Sequence, residues 1–222
     1  GYVNTSYPRG LAALIDDEPL RFAVIDVGTN SIKFHIGERE RDGNWRAVVD
    51  RAEMTRLGEG LEQNGFIADA ALERTVAAIA NMVDEAKRRA VLATAAVGTA
   101  GLRIAANRDR VLAVIETRTG VRIDVISGEE EGRLAYVAAT SGLGLSKGSL
   151  VAFDTGGGST QFTFGHDSSV DERFSVDVGA VRYTERYKLD GVVSAEVMRR
   201  TMAAVAADLS RIDGRPVPAA LV

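Results

Sequence analysis

The spacing of apolar and polar residues changes several times along this chain, and each change marks an element. Residues 21–27, 31–37 and 45–55 read as three strands in an antiparallel meander, with Ile32, Phe34 and Ile36 alternating along the second. Gly58, Gly60, Asn64 and Gly65 mark a loop. Leu72, Val76, Ile79 and Val83 then recur at helical spacing and predict a helix over 69–89, whose negative end suits Lys87, Arg88 and Arg89. A short apolar strand over 91–97, a helix over 108–118 ended by Gly120, a strand over 121–126 and a helix from Ser127 to about Thr140 follow. Ser141 to Gly148 is rich in small residues and reads as a hinge. Beyond it the pattern restarts, with strands over 149–154, 159–165 and 172–178 and a helix over 194–210. Trp45, Met54 and the scattered aromatics read as core residues.

The restart is also a repeat of letters. Residues 26–37 read DVGTNSIKFHIG and residues 154–165 read DTGGGSTQFTFG. The aligned pairs are Asp26 with Asp154, Gly28 with Gly156, Ser31 with Ser159, Phe34 with Phe162, and Gly37 with Gly165. Each copy follows an apolar run, so each reads as strand, glycine turn, strand, and the pair suggests a duplicated unit. Residues 1–20 show no period and are expected to form an extension. Pro218–Val222 reads as the start of a buried strand, whereas the first half goes on from the equivalent point with two more helices. A continuation beyond Val222 is therefore expected.

Composition narrows the chemistry. The 222 residues suffice for one large domain or two small ones, and 45% hydrophobic with 26% charged residues is ordinary for a globular protein. The absence of cysteine excludes disulfides, thiolate zinc sites and a cysteine nucleophile. No apolar run is long enough to span a bilayer, and the N-terminus has neither a basic n-region nor an apolar h-region, so no membrane partner and a cytoplasmic location are expected. The net charge of −4 argues against nucleic acid as a partner.

Four groups of residues carry candidate chemistry. In Asp26-Val-Gly-Thr-Asn-Ser31 the glycine turn lets backbone N–H groups approach a ligand, and Thr29, Asn30 and Ser31 add donors suited to phosphate oxygens. For one such copy alone, a plain hairpin turn is the favoured reading. The second copy, with Gly156, Gly157 and Gly158 before Ser159, tips the reading, because three consecutive glycines cost entropy that a simple turn does not require. Asp26, at a strand end, has the placement to hold a divalent cation such as Mg²⁺. In Ser127-Gly-Glu-Glu-Glu131, Ser127 and Glu130 fit a capping box and Glu129 suits the helix dipole, which leaves Glu131 to orient and deprotonate a water or to serve no structural purpose. Arg103 reads either as a bidentate phosphate clamp or as a surface arginine. Lys33 faces away from the core toward ligand or solvent, and His35 shares that face as a solvated histidine.

Together these segments resemble the exopolyphosphatase / guanosine pentaphosphate phosphohydrolase family. The likeness rests on Ala23–Ser31, Arg56–Leu61, Val97-Gly-Thr with Leu102-Arg103, Ile126–Glu131, Phe153–Thr160 and Val178–Glu185, in that order over residues 21–222. The resemblance implies an α/β protein of the actin/hexokinase/Hsp70-like superfamily. Its two ribonuclease-H-like domains, residues 21–143 and 144–222, would flank a cleft, the second being incomplete at its C-terminus. It further implies Mg²⁺-dependent release of terminal phosphate from polyphosphate or guanosine pentaphosphate. Carried over by motif, Glu131 is the base for water, and Asp154 holds the metal, with Asp26 nearby, or helps activate the water. Thr29, Asn30, Ser31, Arg103 and Gly156–Ser159 bind phosphates, and the Arg182 region lies near the cleft. One departure stands out: the family places Glu where this chain has Gln161, which keeps an oxygen but loses a charge. Two rival readings follow, a non-catalytic sensor of an alarmone or polyphosphate, motivated by Gln161, and an ATP-using kinase of the same superfamily. A homodimer is allowed, although the sequence does not read an oligomeric state.

Overall fold

The structure is a computed structural model that describes residues 19–143, 148–166 and 169–221. The expected extension falls outside these residues except for its last two, as do residues 144–147 of the expected hinge and Val222. The first sheet holds β1 (Leu20–Val27), β2 (Ser31–Arg39), β3 (Trp45–Met54), β4 (Ala93–Gly98) and β5 (Asp124–Val125) in the order β3-β2-β1-β4-β5. The β1–β2–β3 meander is antiparallel and β4 and β5 add in parallel. The second sheet holds β6 (Ser149–Thr155), β7 (Thr160–His166), β8 (Ser169–Val176) and β9 (Ala220–Leu221) in the order β8-β7-β6-β9, with β9 parallel to β6. Two sheets in a mixed α/β fold thus each begin with an antiparallel three-stranded meander. The helices are α1 (Leu61–Asn64), α2 (Asp69–Arg88), α3 (Ala100–Ile104), α4 (Arg108–Thr119), α5 (Gly128–Leu143), α6 (Ala180–Tyr187) and α7 (Ala195–Asp208).

The hydrophobic periods account for the packing. Ile25 and Val27 of β1 and Ile32, Phe34 and Ile36 of β2 meet Leu72, Val76, Ile79 and Met82 of α2 in one core, which Val111 and Ile115 of α4 extend. The helix over α4 ends at Gly120 in the left-handed conformation, φ 73°, as its sequence predicts. Val151, Phe162, Phe174 and Val176 form the core on one face of the second sheet, with Leu209 and Ile212 against it. The other face is covered by α5, whose Tyr136 is buried with Leu150 and Ala152. This is the connection that positions the site: α5 leaves β5 of the first sheet and packs on the second. Close approach requires two glycines there. A Cβ on Gly165 would lie 2.5 Å from the Tyr136 hydroxyl, and one on Gly132 would lie 2.7 Å from Thr163 Oγ1.

Several expectations are corrected. Trp45 and Met54 are not core residues, being 59% and 61% exposed. They lie on β3, the sheet's edge strand, where Trp45 only meets the edge of Phe22. The strand expected over 121–126 shrinks to Asp124–Val125, again at an edge, with two residue pairs to β4. The strand at the C-terminal end forms, but Leu221 on it is 64% exposed rather than buried. The helices α1 and α3 are too short for a period to show, and α6 is a further helix the pattern does not predict, directly after the strand expected over 172–178. The capping box is half formed. Ser127 Oγ accepts from the Glu130 N–H at 3.1 Å, but the Glu130 carboxylate turns to Arg133 one turn on, at 2.6 Å.

Candidate active site

The two glycine turns meet. The β1–β2 turn is closed by Gly28 N–H donating to the Ser31 carbonyl at 3.1 Å, and the β6–β7 turn by Gly156 N–H donating to the Ser159 carbonyl at 2.9 Å. A Cβ on Gly157 would come within 3.0 Å of Asn30 Cβ, and one on Gly158 within 3.0 Å of Thr29 Oγ1. The triple glycine therefore lets one backbone turn lie directly on the other. Thr29 is anchored from behind, since its carbonyl accepts from Gly58 N–H at 2.8 Å.

A small cleft of about 70 Å³ opens over these turns. Asp26, Gly28–Ser31, Lys33, Glu131, Asp154 and Gly156–Ser159 line it, joined by Thr99 and Ala100. A larger concavity of about 450 Å³ lies beside α4. Four of its exposed charges are paired, Arg108 with Asp109 and Arg122 with Asp124, and it includes neither turn.

The carboxylates of the cleft are in unlike environments. Glu131 sits in the first turn of α5, mostly buried. Burial pushes its carboxyl above the usual carboxylate range; the hydrogen bond from Arg103 opposes this, while the charges of Asp26 and Asp154 add to it. Arg103 Nη1 donates to Glu131 Oε2 at 2.8 Å and to the Ile126 carbonyl at 3.0 Å. The structure thus places Arg103 at Glu131, behind the cleft wall. The carboxyl of Asp26 is also raised, by burial first, with Lys33 lowering it and Asp154 raising it. Lys33 Nζ lies 4.0 Å from Asp26 Oδ2, so Lys33 faces the cleft, and His35 lies 3.8 Å from Asp50 at the surface.

Among the described residues no group of three or more His, Cys, Asp or Glu side chains forms a ready metal cage. The donor set nevertheless fits Mg²⁺. Asp26 Oδ1 is buried without a hydrogen-bond partner, Asp154 is the other carboxylate, and Mg²⁺ commonly binds through one or two carboxylates while keeping several waters.

Behind the turns, contacts that sequence reading missed tie the two sheets' helices together. Glu62 of α1 pairs with Arg186 and, at 3.5 Å, with Arg182, both of α6. Glu185 Oε1 accepts from Gly60 N–H at 2.7 Å. The sequence signals were the Arg56–Leu61 and Val178–Glu185 motifs themselves, because a four-residue helix carries no period. Replacing Glu62 by Gln is expected to destabilise the protein by roughly 1–3 kcal/mol, since it strips a carboxylate from two partly buried guanidinium groups. A lowered urea midpoint checks this, and an unchanged midpoint would show that the pairs do not hold the halves together.

The arrangement matches known proteins. The Ppx/GppA phosphatase family profile matches residues 20–215. The chain belongs to the Ppx/GppA phosphatase family. Relatives of this Ppx/GppA chain include exopolyphosphatase 1 of Mycobacterium leprae, 29% identical over 171 residues that make up 77% of this chain and 50% of that protein. Another is the bifunctional 3-dehydroquinate synthase/phosphatase of Fusobacterium nucleatum, 31% identical over 180 residues, 76% of this chain and 26% of that one. The crystal structure of the Ppx/GppA family member of Aquifex aeolicus superposes with a TM-score of 0.73 at 27% identity, over 92% of this chain and 65% of that one. The Ppx/GppA chain therefore spans about half the length of the exopolyphosphatase it matches. No helix among the described residues is long and apolar enough to cross a membrane.

Proposed function

We propose that this Ppx/GppA protein hydrolyses terminal phosphoanhydride bonds of inorganic polyphosphate, releasing orthophosphate. The observation that carries the reading is the juxtaposition of one buried carboxylate, Glu131, with two touching glycine turns across a single cleft. Residues 21–143 and 144–222 are taken as two ribonuclease-H-like units, each giving one turn.

In this reading the turns, with Thr29, Asn30, Ser31 and Ser159, bind the oxygens of the terminal phosphoryl group. Glu131 accepts a proton from a water, the water oxygen bonds to phosphorus, and the bridging P–O bond breaks in line, its electrons leaving on the shortened chain. Arg103 holds Glu131 in place and keeps a useful fraction of it ionised against the effect of burial. Asp26 and Asp154 would hold Mg²⁺, which when bound neutralises charge on the phosphoryl oxygens. Lys33 offers a further cation beside them.

A second reading rests on Gln161, a buried neutral amide paired with Asp154 across β6 and β7. It makes the protein a sensor that binds polyphosphate or a guanosine alarmone without turnover. Phosphate release with Mg²⁺ from long polyphosphate, tripolyphosphate and guanosine pentaphosphate separates these. Polyphosphate is expected to be the best substrate. Faster release from guanosine pentaphosphate would move the assignment to that nucleotide. Ligand-induced thermal protection without release would support the sensor, and transfer from ATP to a small acceptor would indicate a kinase.

A further inference from the structure

Gln161 is 2% exposed, yet its amide is only half satisfied. Nε2 donates to Ser159 Oγ at 2.7 Å, while Oε1 is buried and has no partner. Turned over, the amide would leave both of its buried N–H groups without an acceptor, against one as it stands. The base of the side chain packs against α5. The backbone of α5 at Gly132 lies so near that a Cβ there would be 3.7 Å from Gln161 Cβ, and Thr163 Oγ1 closes the same contact by donating to the Gly132 carbonyl at 2.8 Å. Ser159, itself 4% exposed, lines the cleft.

A hydroxyl has one proton and two lone pairs. With the Gln161 amide occupying a lone pair of Ser159 Oγ, the single proton remains for another acceptor. A phosphate oxygen in the cleft is such an acceptor. A carboxylate at position 161 can only accept, so it would draw the Ser159 proton to itself and turn a lone pair toward the anion. The identity of this one buried side chain therefore bears on which way the Ser159 hydroxyl directs its proton.

We propose that Gln161 is a positioning residue that sets the hydrogen-bond polarity of Ser159, presenting the Ser159 hydroxyl as a donor to a bound phosphoryl group. This rests on the reading of the cleft as a phosphate site. It also gives the departure at this position a consequence of its own: the hairpin that holds Asp154 contributes a donor to the ligand and no additional negative charge. The contrast with the first hairpin is direct, since the residue paired with Asp26 is Lys33 and the residue paired with Asp154 is Gln161. Neither copy places an acid opposite its aspartate.

The test is equilibrium binding of imidodiphosphate, which has no hydrolysable P–O–P bridge, by calorimetry in Mg²⁺. The full chain is compared as wild type, Ser159→Ala, Gln161→Glu, Gln161→Met and each double variant, with thermal melts to confirm folding. In the wild type, Ser159→Ala is expected to weaken binding roughly tenfold, the worth of one hydrogen bond to a charged group. In the Gln161→Glu background the same change is expected to cost less than about twofold, because the proton is already spent. Gln161→Met, which cannot donate, should lie between. A merely structural role for Gln161 would leave the cost of Ser159→Ala equal in all backgrounds, and that result overturns the proposal while leaving the site reading in place. If Gln161→Glu does not fold, the Gln161→Met cycle decides by the same criterion. A folded wild type that binds no imidodiphosphate would instead overturn the phosphate-site reading beneath it.

Discussion

Glu131→Gln is expected to lower phosphate release by roughly 10²–10⁴-fold, the contribution typical of a positioned general base, while leaving the fold intact. The structure gives the reasons for both halves of this expectation. The Gln amide oxygen can still accept the hydrogen bond that Arg103 now gives to Glu131 Oε2, and Arg103 keeps its bond to the Ile126 carbonyl. What is lost is the basic oxygen facing the cleft. Removing a charge from this mostly buried place also removes a penalty. A carboxyl raised by burial binds its proton more tightly in the folded than in the unfolded protein. Its contribution to stability is therefore greatest at low pH and is lost as pH rises through the raised folded value. The melting temperature of Glu131→Gln at neutral pH should accordingly be close to or above that of the wild type. The same shift fixes the pH profile. Since the base must be ionised to act, the acidic limb of the rate should lie above the ordinary glutamate value of 4.5. Removing the Arg103 charge, as in Arg103→Met, should move it further up. Phosphate release by Glu131→Gln at the wild-type rate would falsify the role given to this residue.

Much of this site is local in the sequence, which is why it is legible there. The two copies of the aspartate–glycine hairpin sit on contiguous residues, and the structure forms both turns with closely similar closing hydrogen bonds. Ile32, Phe34 and Ile36 alternate inward because β2 lies inside the sheet, between β3 and β1, with the buried face set by α2. The legible part ends where position depends on another segment. Trp45 looks like core by its type, but an edge strand leaves it without a second neighbour. Arg103 is singled out by its motif, yet its partner is a glutamate 28 positions away that no spacing rule connects to it. The largest hidden relation is α5. Its sequence shows a helix beginning after a strand, and nothing in its period says that it leaves the first sheet to pack on the second. That crossing is carried by contacts between Tyr136 and Gly165 and between Gly132 and Thr163, and it is what brings Glu131 of α5 to the cleft between the turns. The salt links of Glu62 with Arg182 and Arg186 are equally non-local.

Gly179→Ala is expected to harm stability and activity together, because Gly179 seats the triple-glycine turn. A Cβ there would lie 2.4 Å from the Gly158 carbonyl carbon, 2.5 Å from the Gly157 oxygen and 2.6 Å from the Gly157 carbonyl carbon, all of them backbone atoms. The backbone of Gly179 itself is extended, with φ −150° and ψ 152°, so alanine is not strained by its own torsions and the whole effect comes from the collision. The turn cannot retreat freely. The N–H groups of Ala180, Val181 and Arg182 at the start of α6 donate to the carbonyls of Gly156 and Gly157 at 2.8–3.1 Å, while Gly157 and Gly158 already rest on Asn30 and Thr29. Relief requires breaking those hydrogen bonds or parting the two turns, and either change disturbs the floor of the cleft. Overpacking of this kind typically costs about 1–3 kcal/mol, and a loss of hydrogen bonds at the turn would carry it to the upper end. Urea unfolding should show a lowered midpoint, and phosphate release should show a raised KM, since the displaced groups are those proposed to hold the anion. Gly191→Ala is the control. Nothing lies within 4 Å of a Cβ there, so its midpoint and KM should match the wild type. A Gly179→Ala variant that also matches the wild type in both measurements would mean that the glycine turn moves aside without loss, and that α6 does not fix the phosphate loop.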